Sequence, residues 1–87
     1  DRLEFKTNDL IQGIEGRYDL VTANILPHII LELVPDLAAV VADDGVFILS
    51  GIIESRWSEI KTTLKANNLA INEVVQTEEW ITLAGSR

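Results

Sequence analysis

The sequence contains no cysteine and no methionine, and it has only two prolines and one histidine among its 87 residues. Without cysteine, a disulfide framework and a thiolate metal site are excluded. One histidine and dispersed acidic residues do not give the ligand spacing of a metal centre either. No apolar run approaches the ~20 residues that a membrane-spanning helix needs. We therefore expect no membrane segment, and the lack of cysteine suits a cytoplasmic protein.

Basic residues are also scarce, because seven Lys and Arg stand against fourteen Asp and Glu, which gives a net charge of −7. The basic residues are scattered along the chain, so no patch that would bind a phosphate backbone is predicted. We expect no direct contact with nucleic acid, whereas a basic protein is a permitted partner. A solvated acidic surface without a partner is the plainer alternative.

The sequence has no initiating methionine, no basic leader segment and no small-residue cleavage site. We therefore expect Asp1 to begin a segment of a longer polypeptide. The length predicts one small domain, and an apolar content of 47% indicates a packed globular core.

The first half of the chain alternates strand and helix patterns. A period of two predicts a short strand from Leu3 to about Asn8, followed by the loop "QGIEGRYD". The apolar runs 18–25 and 45–52 predict strands covered on both faces. Between them, helical spacing over 28–42 contains Pro35, which predicts a kink or two short helices that end at "DDG".

The second half repeats the alternation and then changes to strands alone. Ser55 is predicted to cap a helix, and "ANN" at 66–68 tolerates a left-handed C-cap. Trp57, Ile60, Leu64 and Ala66 are predicted to face inward. The runs "INEVVQT" and "WITLAGS", separated by two glutamates, predict an antiparallel hairpin. The chain is thus predicted to be α/β, with parallel strands joined by crossover helices and a terminal antiparallel hairpin.

Three short motifs resemble one enzyme family. They are "ANIL" (23–26), "LSGI" (49–52) and "EEW" (78–80) followed by "ITLAG". With their mutual spacing, they resemble the ribosomal protein L-eleven methyltransferase family (PrmA) over nearly the whole chain, from "DRLEF" to "AGSR". The resemblance implies a Rossmann-like methyltransferase sheet that uses S-adenosyl-L-methionine to methylate amino groups, of lysine or of an N-terminus, in a ribosomal protein.

The resemblance also implies that part of the catalytic domain is absent. The family's glycine-rich cofactor loop, its acidic ribose-binding residue and its substrate-recognition domain all precede the stretch that matches this chain. Residues 1–87 are therefore expected to be a single partial domain, the C-terminal portion of the catalytic domain, and to be inactive in isolation. "GIEG" (13–16), the one close glycine pair, is interpreted as a surface turn.

Asn24 ends the run "YDLVTAN", and ligands of open α/β sheets bind beyond the carboxyl ends of parallel strands. The resemblance implies that Asn24 binds the cofactor near the reacting methyl group, with Ile25, Leu26 and Pro27 shaping the wall. A turn asparagine that caps the next helix is the alternative. "NILP" departs from the "NPPY" type motif of related amino-group methyltransferases, which disfavours adenine or glutamine as the methyl acceptor.

No catalytic residue is assigned. Methyl transfer from a sulfonium is an in-line displacement, which depends on alignment and desolvation and needs no dedicated nucleophile. His28 is a weak candidate for a general base, because one histidine early in a helix is more often exposed or capping. Glu78 and Glu79 could attract a basic substrate, but two acidic residues in a hairpin turn are more often simply solvated. Ser50 is interpreted as allowing close backbone approach at the cleft, and Trp57 and Trp80 as core or rim packing.

In the family's sheet order, the strand that begins at Tyr18 pairs with a strand that this chain lacks. Because an exposed edge recruits partners, three outcomes are predicted: a homodimer across 18–25, closure by residues 3–8, or association with the missing material. Two function hypotheses stay open. One is part of a protein methyltransferase, and the other is a noncatalytic α/β interaction or scaffold domain.

Overall fold

The computed structural model of the chain describes residues 2–5, 16–24 and 27–87. The predicted end of the first strand and most of the predicted loop "QGIEGRYD" lie outside these residues. The elements are β1 (Arg2–Phe5), β2 (Tyr18–Asn24), α1 (Pro27–Val40), β3 (Val41–Ile53), a 3₁₀ turn (Glu54–Arg56), α2 (Trp57–Ala66), β4 (Ala70–Thr77) and β5 (Trp80–Ser86).

The five described strands form one mixed sheet in the order β1-β2-β3-β5-β4. The first three strands are parallel, whereas β5 runs antiparallel to both β3 and β4. The predicted α/β class, the parallel pairing of the two apolar runs and the terminal hairpin are therefore confirmed. The hairpin lies with β5 inside the sheet and β4 at its edge.

One face of the sheet carries the core. Alternate residues of the strands, such as Val21, Phe47 and Leu83, are buried together with Ile30 of α1 and Ile60 of α2. The opposite face is open among the described residues, since Val46 is 38% exposed and Val75 is 56% exposed. Within residues 2–5, 16–24 and 27–87, helices cover only one face of β2 and β3, so the predicted cover on both faces is not found there. An apolar run indicates that a strand is suited to burial, but it does not supply the layer that buries it.

Helix α1 is continuous from Pro27 to Val40, so the alternative of two short helices is wrong. Pro35 lies inside the helix on its exposed side, where the core does not depend on the turn it disturbs. The helix ends before "DDG", which lies inside β3 at a register shift between the pairs Tyr18–Val41 and Leu20–Val46. In the described part of the chain, no helix is long and apolar enough to cross a membrane.

Helix α2 has the predicted C-terminus but not the predicted N-terminus. Asn68 adopts φ 61°, and the N–H groups of Asn68 and Leu69 donate to the carbonyls of Lys65 and Leu64 at 3.1 and 3.0 Å, which is a Schellman motif. Ser55 does not cap the helix, because it lies in the 3₁₀ turn and Arg56 occupies the N-cap without a side-chain bond. The inward placement of Ile60 and Leu64 is confirmed and that of Ala66 is wrong, since Ala66 is exposed.

The edge of β2 is closed by β1. Arg2 to Phe5 pair in parallel with Leu20 to Ala23, which is the second of the three predicted outcomes. A homodimer across this edge stays a prediction. At the amino end of the same sheet, Asp43 accepts hydrogen bonds from Arg17 at 3.3 Å and Arg87 at 3.1 Å, which ties the end of β5 to the beginning of β3.

Candidate functional site

The candidate site lies where the parallel strands end. Asn24 is the last residue of β2, and its Cα pairs with that of Ser50 in β3. Paired residues of neighbouring strands point to the same side of a sheet, with the strands about 4.8 Å apart. Asn24 and Ser50 share the parity of Thr22 and Ile48, so both lie on the open face. The amide of Asn24 is exposed there and offers donors and an acceptor together.

A bulge in β3 follows directly. Leu49 pairs with Leu83 and Ile52 with Ile81, so β3 has one more residue than β5 over this stretch. Gly51 lies in the bulge with φ 82°, a conformation that disfavours residues with a Cβ atom. The bulge returns Ile52 to the core.

Beyond the bulge, the next residue on the open face of β3 is Ile53, which pairs with Trp80 of β5. Trp80 is 50% exposed at the beginning of β5. Asn24, Ser50, Ile53 and Trp80 therefore form a row on the open face along the carboxyl edge of the parallel strands, which we call the carboxyl-edge row.

The turn between β4 and β5, which we call the hairpin tip, consists of Glu78 and Glu79 and lies next to this row. The N–H of Glu54 donates to the carbonyl of Glu79 at 2.8 Å and so joins the hairpin tip to the end of β3. An open pocket of about 460 Å³ lies between them, lined by Ile53, Glu54, Ser55 and Glu79. Two carboxylates at the pocket favour a positively charged group over a negative one.

The other sequence candidates have plainer placements. His28 is exposed in the first turn of α1, and Trp57 is half-buried against the core, which confirms its packing role. Ile25 and Leu26 lie outside the described residues, as does the side chain of Pro27. No group of His, Asp and Glu side chains within the described ranges could hold a metal ion.

Sequence reasoning did not single out two features of the site. Trp80 lies at the rim, one of its two predicted packing positions, but its place in a row with Asn24 and Ser50 was not predicted; the alternation of Ile81 and Leu83 into the core puts it on the open face. The link from Gln76 to Glu54, an Nε2 to Oε2 distance of 3.0 Å, had no signal in the sequence because it joins β4 to the 3₁₀ turn.

The polar and apolar side chains of the carboxyl-edge row suit one side of an S-adenosylmethionine site. An exposed amide at a strand end suits the polar parts of the cofactor, and the neighbouring apolar and aromatic surface suits its less polar parts. The role of Asn24 in binding the cofactor stays a prediction.

Comparison with known proteins gives consistent matches. A family model described as "Ribosomal protein L11 methyltransferase (PrmA)" matches residues 2–87. A ribosomal protein L11 methyltransferase of Bacillus licheniformis is 36% identical over all 87 residues and 28% of its own length. That of Caldicellulosiruptor bescii is 44% identical over 78 residues, which are 90% of this chain and 26% of the relative.

Solved structures agree with the sequence matches. The crystal structure of a ribosomal protein L11 methylase from Lactobacillus delbrueckii subsp. bulgaricus superposes with a TM-score of 0.87 at 37% identity, over 90% of this chain and 40% of that one. A putative methyltransferase from Thermoplasma acidophilum superposes with a TM-score of 0.73 at 15% identity, which supports the Rossmann-like methyltransferase fold alone.

The chain spans about a quarter of the length of the curated relatives it matches. The placement of residues 1–87 as the C-terminal portion of the catalytic domain stays a prediction, since these shares give extent and not position. A family model that matches residues 2–87 and relatives that match nearly the whole chain carry the assignment. The chain belongs to the ribosomal protein L11 methyltransferase (PrmA) family.

Proposed function

We propose that these 87 residues form one part of an S-adenosylmethionine-dependent methyltransferase that methylates amino groups, of lysine or of an N-terminus, in ribosomal protein L11. The single observation that carries the proposal is the family match over residues 2–87, and it favours the enzyme over a noncatalytic scaffold. The cytoplasm is the expected location. The net charge of −7 favours a basic protein partner over direct contact with nucleic acid.

The chemistry asks little of the protein beyond alignment. S-adenosylmethionine supplies an activated methyl group on a sulfonium. The chain's own groups have to hold a neutral amine in line with that methyl group and exclude water. The methyl group passes directly to the amine, so no covalent intermediate forms on the protein. The carboxyl-edge row suits this task because it combines one exposed amide with a half-buried hydroxyl and an exposed aromatic ring.

Asn24 is proposed to bind the cofactor near the reacting methyl group. Its amide can donate to a ribose or carboxylate oxygen or accept from an amine, whereas the flanking Ala23 faces the core and cannot reach a ligand. Ser50, one strand away on the same face, is proposed to line the cleft.

The test is a calorimetric titration of a full-length methyltransferase that carries these 87 residues with S-adenosylhomocysteine. Asn24→Ala is expected to weaken binding about 10-fold, because one or two hydrogen bonds are lost. The matched control is Asn72→Ala, which removes an exposed amide from β4 at the far edge of the sheet. Equal affinities of the parent and Asn24→Ala would contradict the assignment of Asn24.

A transfer assay tests the proposed substrate. Radiolabelled methyl is expected to appear in ribosomal protein L11 with the full-length protein and not with residues 1–87 alone. Transfer to nucleic acid in place of the ribosomal protein would contradict the proposed substrate class.

A further inference from the structure

The hairpin tip holds a backbone conformation that its sequence disfavours. Glu78 has φ 57°, in the left-handed region that residues other than glycine, asparagine and aspartate rarely adopt. The two-residue loop between Thr77 and Trp80 favours a positive φ at its first residue, and a glutamate keeps it where surrounding contacts fix it. The contacts that fix it here converge from two elements.

Gln76 supplies two of these contacts from one nitrogen. Its Nε2 donates to the carbonyl of Glu78 at 2.9 Å and to Oε2 of Glu54 at 3.0 Å. A primary amide has two N–H donors, so both bonds can form at once. The first bond closes the turn on itself, and the second ties the turn to the residue that follows β3.

The backbone supplies the third contact, from the N–H of Glu54 to the carbonyl of Glu79 at 2.8 Å. The side chain of Glu54 therefore accepts a hydrogen bond from Gln76, and its main-chain N–H donates one to Glu79. Together the three bonds fix the hairpin tip relative to the end of β3. Trp80 is the next residue, and it lies in the carboxyl-edge row opposite Ile53.

We infer that Gln76, acting with Glu54, is a positioning residue that fixes the hairpin tip and Trp80 beside the open pocket, whose two carboxylates favour a basic group of the methyl-accepting protein. The inference rests on the proposed function. Gln76 lies on β4 at the outer edge of the sheet and acts through the tip without touching the reacting atoms. Its expected effect is therefore on substrate engagement more than on cofactor affinity.

The local mobility of the Trp80 side chain shows whether the hairpin tip is held in place. In a Trp57→Phe background, Trp80 is the one tryptophan of this segment, and its fluorescence anisotropy follows its local motion. Gln76→Ala and Gln76→Glu are both expected to lower the anisotropy, because neither side chain can donate to Glu54 and Glu78. Gln76→Lys keeps a donor and is expected to retain more of the parent value. Asn72→Ala, an amide on the same strand that bonds Ser86 at the other end of the hairpin, is the matched control.

Enzyme kinetics complete the test. They are measured on a full-length methyltransferase that carries these residues and has no tryptophan besides Trp80. Gln76→Ala is expected to raise KM for the ribosomal protein about 3- to 10-fold, as the loss of one to two exposed hydrogen bonds predicts, with the affinity for S-adenosylhomocysteine within twofold of the parent. An unchanged KM, or an anisotropy loss equal to that of Asn72→Ala, overturns the inference. Failure of the proposed function is distinct, because then the parent itself would not methylate the ribosomal protein.

Discussion

A Cβ atom at Gly85 would lie 2.3 Å from the carbonyl oxygen of Ala70 and 2.4 Å from Cζ of Phe47. Gly85 is on an interior strand, and Phe47 is fully buried, so neither neighbour can withdraw. Gly85→Ala is expected to lower the free energy of unfolding by about 2–4 kcal/mol in urea denaturation. Thr82→Ala, at an exposed position of the same strand, is expected to cost less than about 1 kcal/mol. Equal losses in the two variants would contradict this explanation.

Asn68 offers the opposite change at the residue scale. Its φ of 61° is tolerated by an asparagine and costs a glycine less. Asn68→Gly is expected to raise the free energy of unfolding by about 0.5–1 kcal/mol, since the gain in the folded turn exceeds the added freedom of the unfolded chain. Asn68→Ala is expected to lower it, and thermal unfolding of the two variants would compare them. A gain in stability for Asn68→Ala would be inconsistent with the Schellman motif.

Single residues were predictable where one local rule governs them. The left-handed C-cap followed from "ANN", and the strand-end position of Asn24 followed from the polar residue after an apolar run. Ser55 failed as a cap because three residues formed a 3₁₀ turn before α2 began. The hydrogen bond from Gln76 to Glu54 joins residues far apart in sequence, which no local pattern records.

At the scale of elements, α1 carries a proline that its core face does not require. Pro35 removes one helical hydrogen bond, yet it is exposed and lies between the buried Val34 and the exposed Asp36. Pro35→Ala is expected to stabilise the protein by about 1–3 kcal/mol in chemical denaturation, because the bond and helix propensity regained exceed the added freedom of the unfolded chain. Asp36→Ala, the exposed neighbour, controls for propensity alone. A loss of stability in Pro35→Ala would mean that the packing of α1 depends on the proline.

Elements with a strong period were predicted with the correct type, and their ends were less certain. The alternation in "INEVVQT" and "WITLAGS" predicts the two strands of the hairpin, which the structure has at 70–77 and 80–86. The predicted end of α1, at residue 42, is later than the observed end at Val40, because "DDG" has the composition of a helix stop. In the structure "DDG" is an irregular stretch of β3, and its Asp43 bonds Arg17 and Arg87. The bond from Arg87, which holds this stretch at the beginning of β3, comes from the far end of the chain.

At the scale of the whole molecule, the arrangement of layers was only half predictable. The sequence predicts strands that suit burial on both faces, but the described chain provides helices for one face. An apolar pattern records what a strand tolerates, and the covering layer must come from another segment. The relatives, about three to four times as long as this chain, have the length to provide one.

The closure of β2 by β1 gives a prediction at the same scale. Removing residues 1–5 exposes the backbone of β2 along Leu20–Ala23, so the shortened segment is expected to form dimers or larger assemblies at micromolar concentration. Sedimentation velocity of the 87-residue chain and the shortened one would compare them. A shortened chain that stays monomeric would show that this edge needs no partner.

The position of β5 inside the sheet bears on the order of events during synthesis. β5 is made after both β3 and β4, yet it lies between them and is the only strand that β4 pairs with in the described sheet. A ribosome that has released everything up to Thr77 has therefore exposed two strand edges that cannot yet join. Because translation adds roughly 5–20 residues per second, the nascent segment spends a fraction of a second to seconds in this unfinished state. Chaperones that bind extended apolar strands would meet it during that interval.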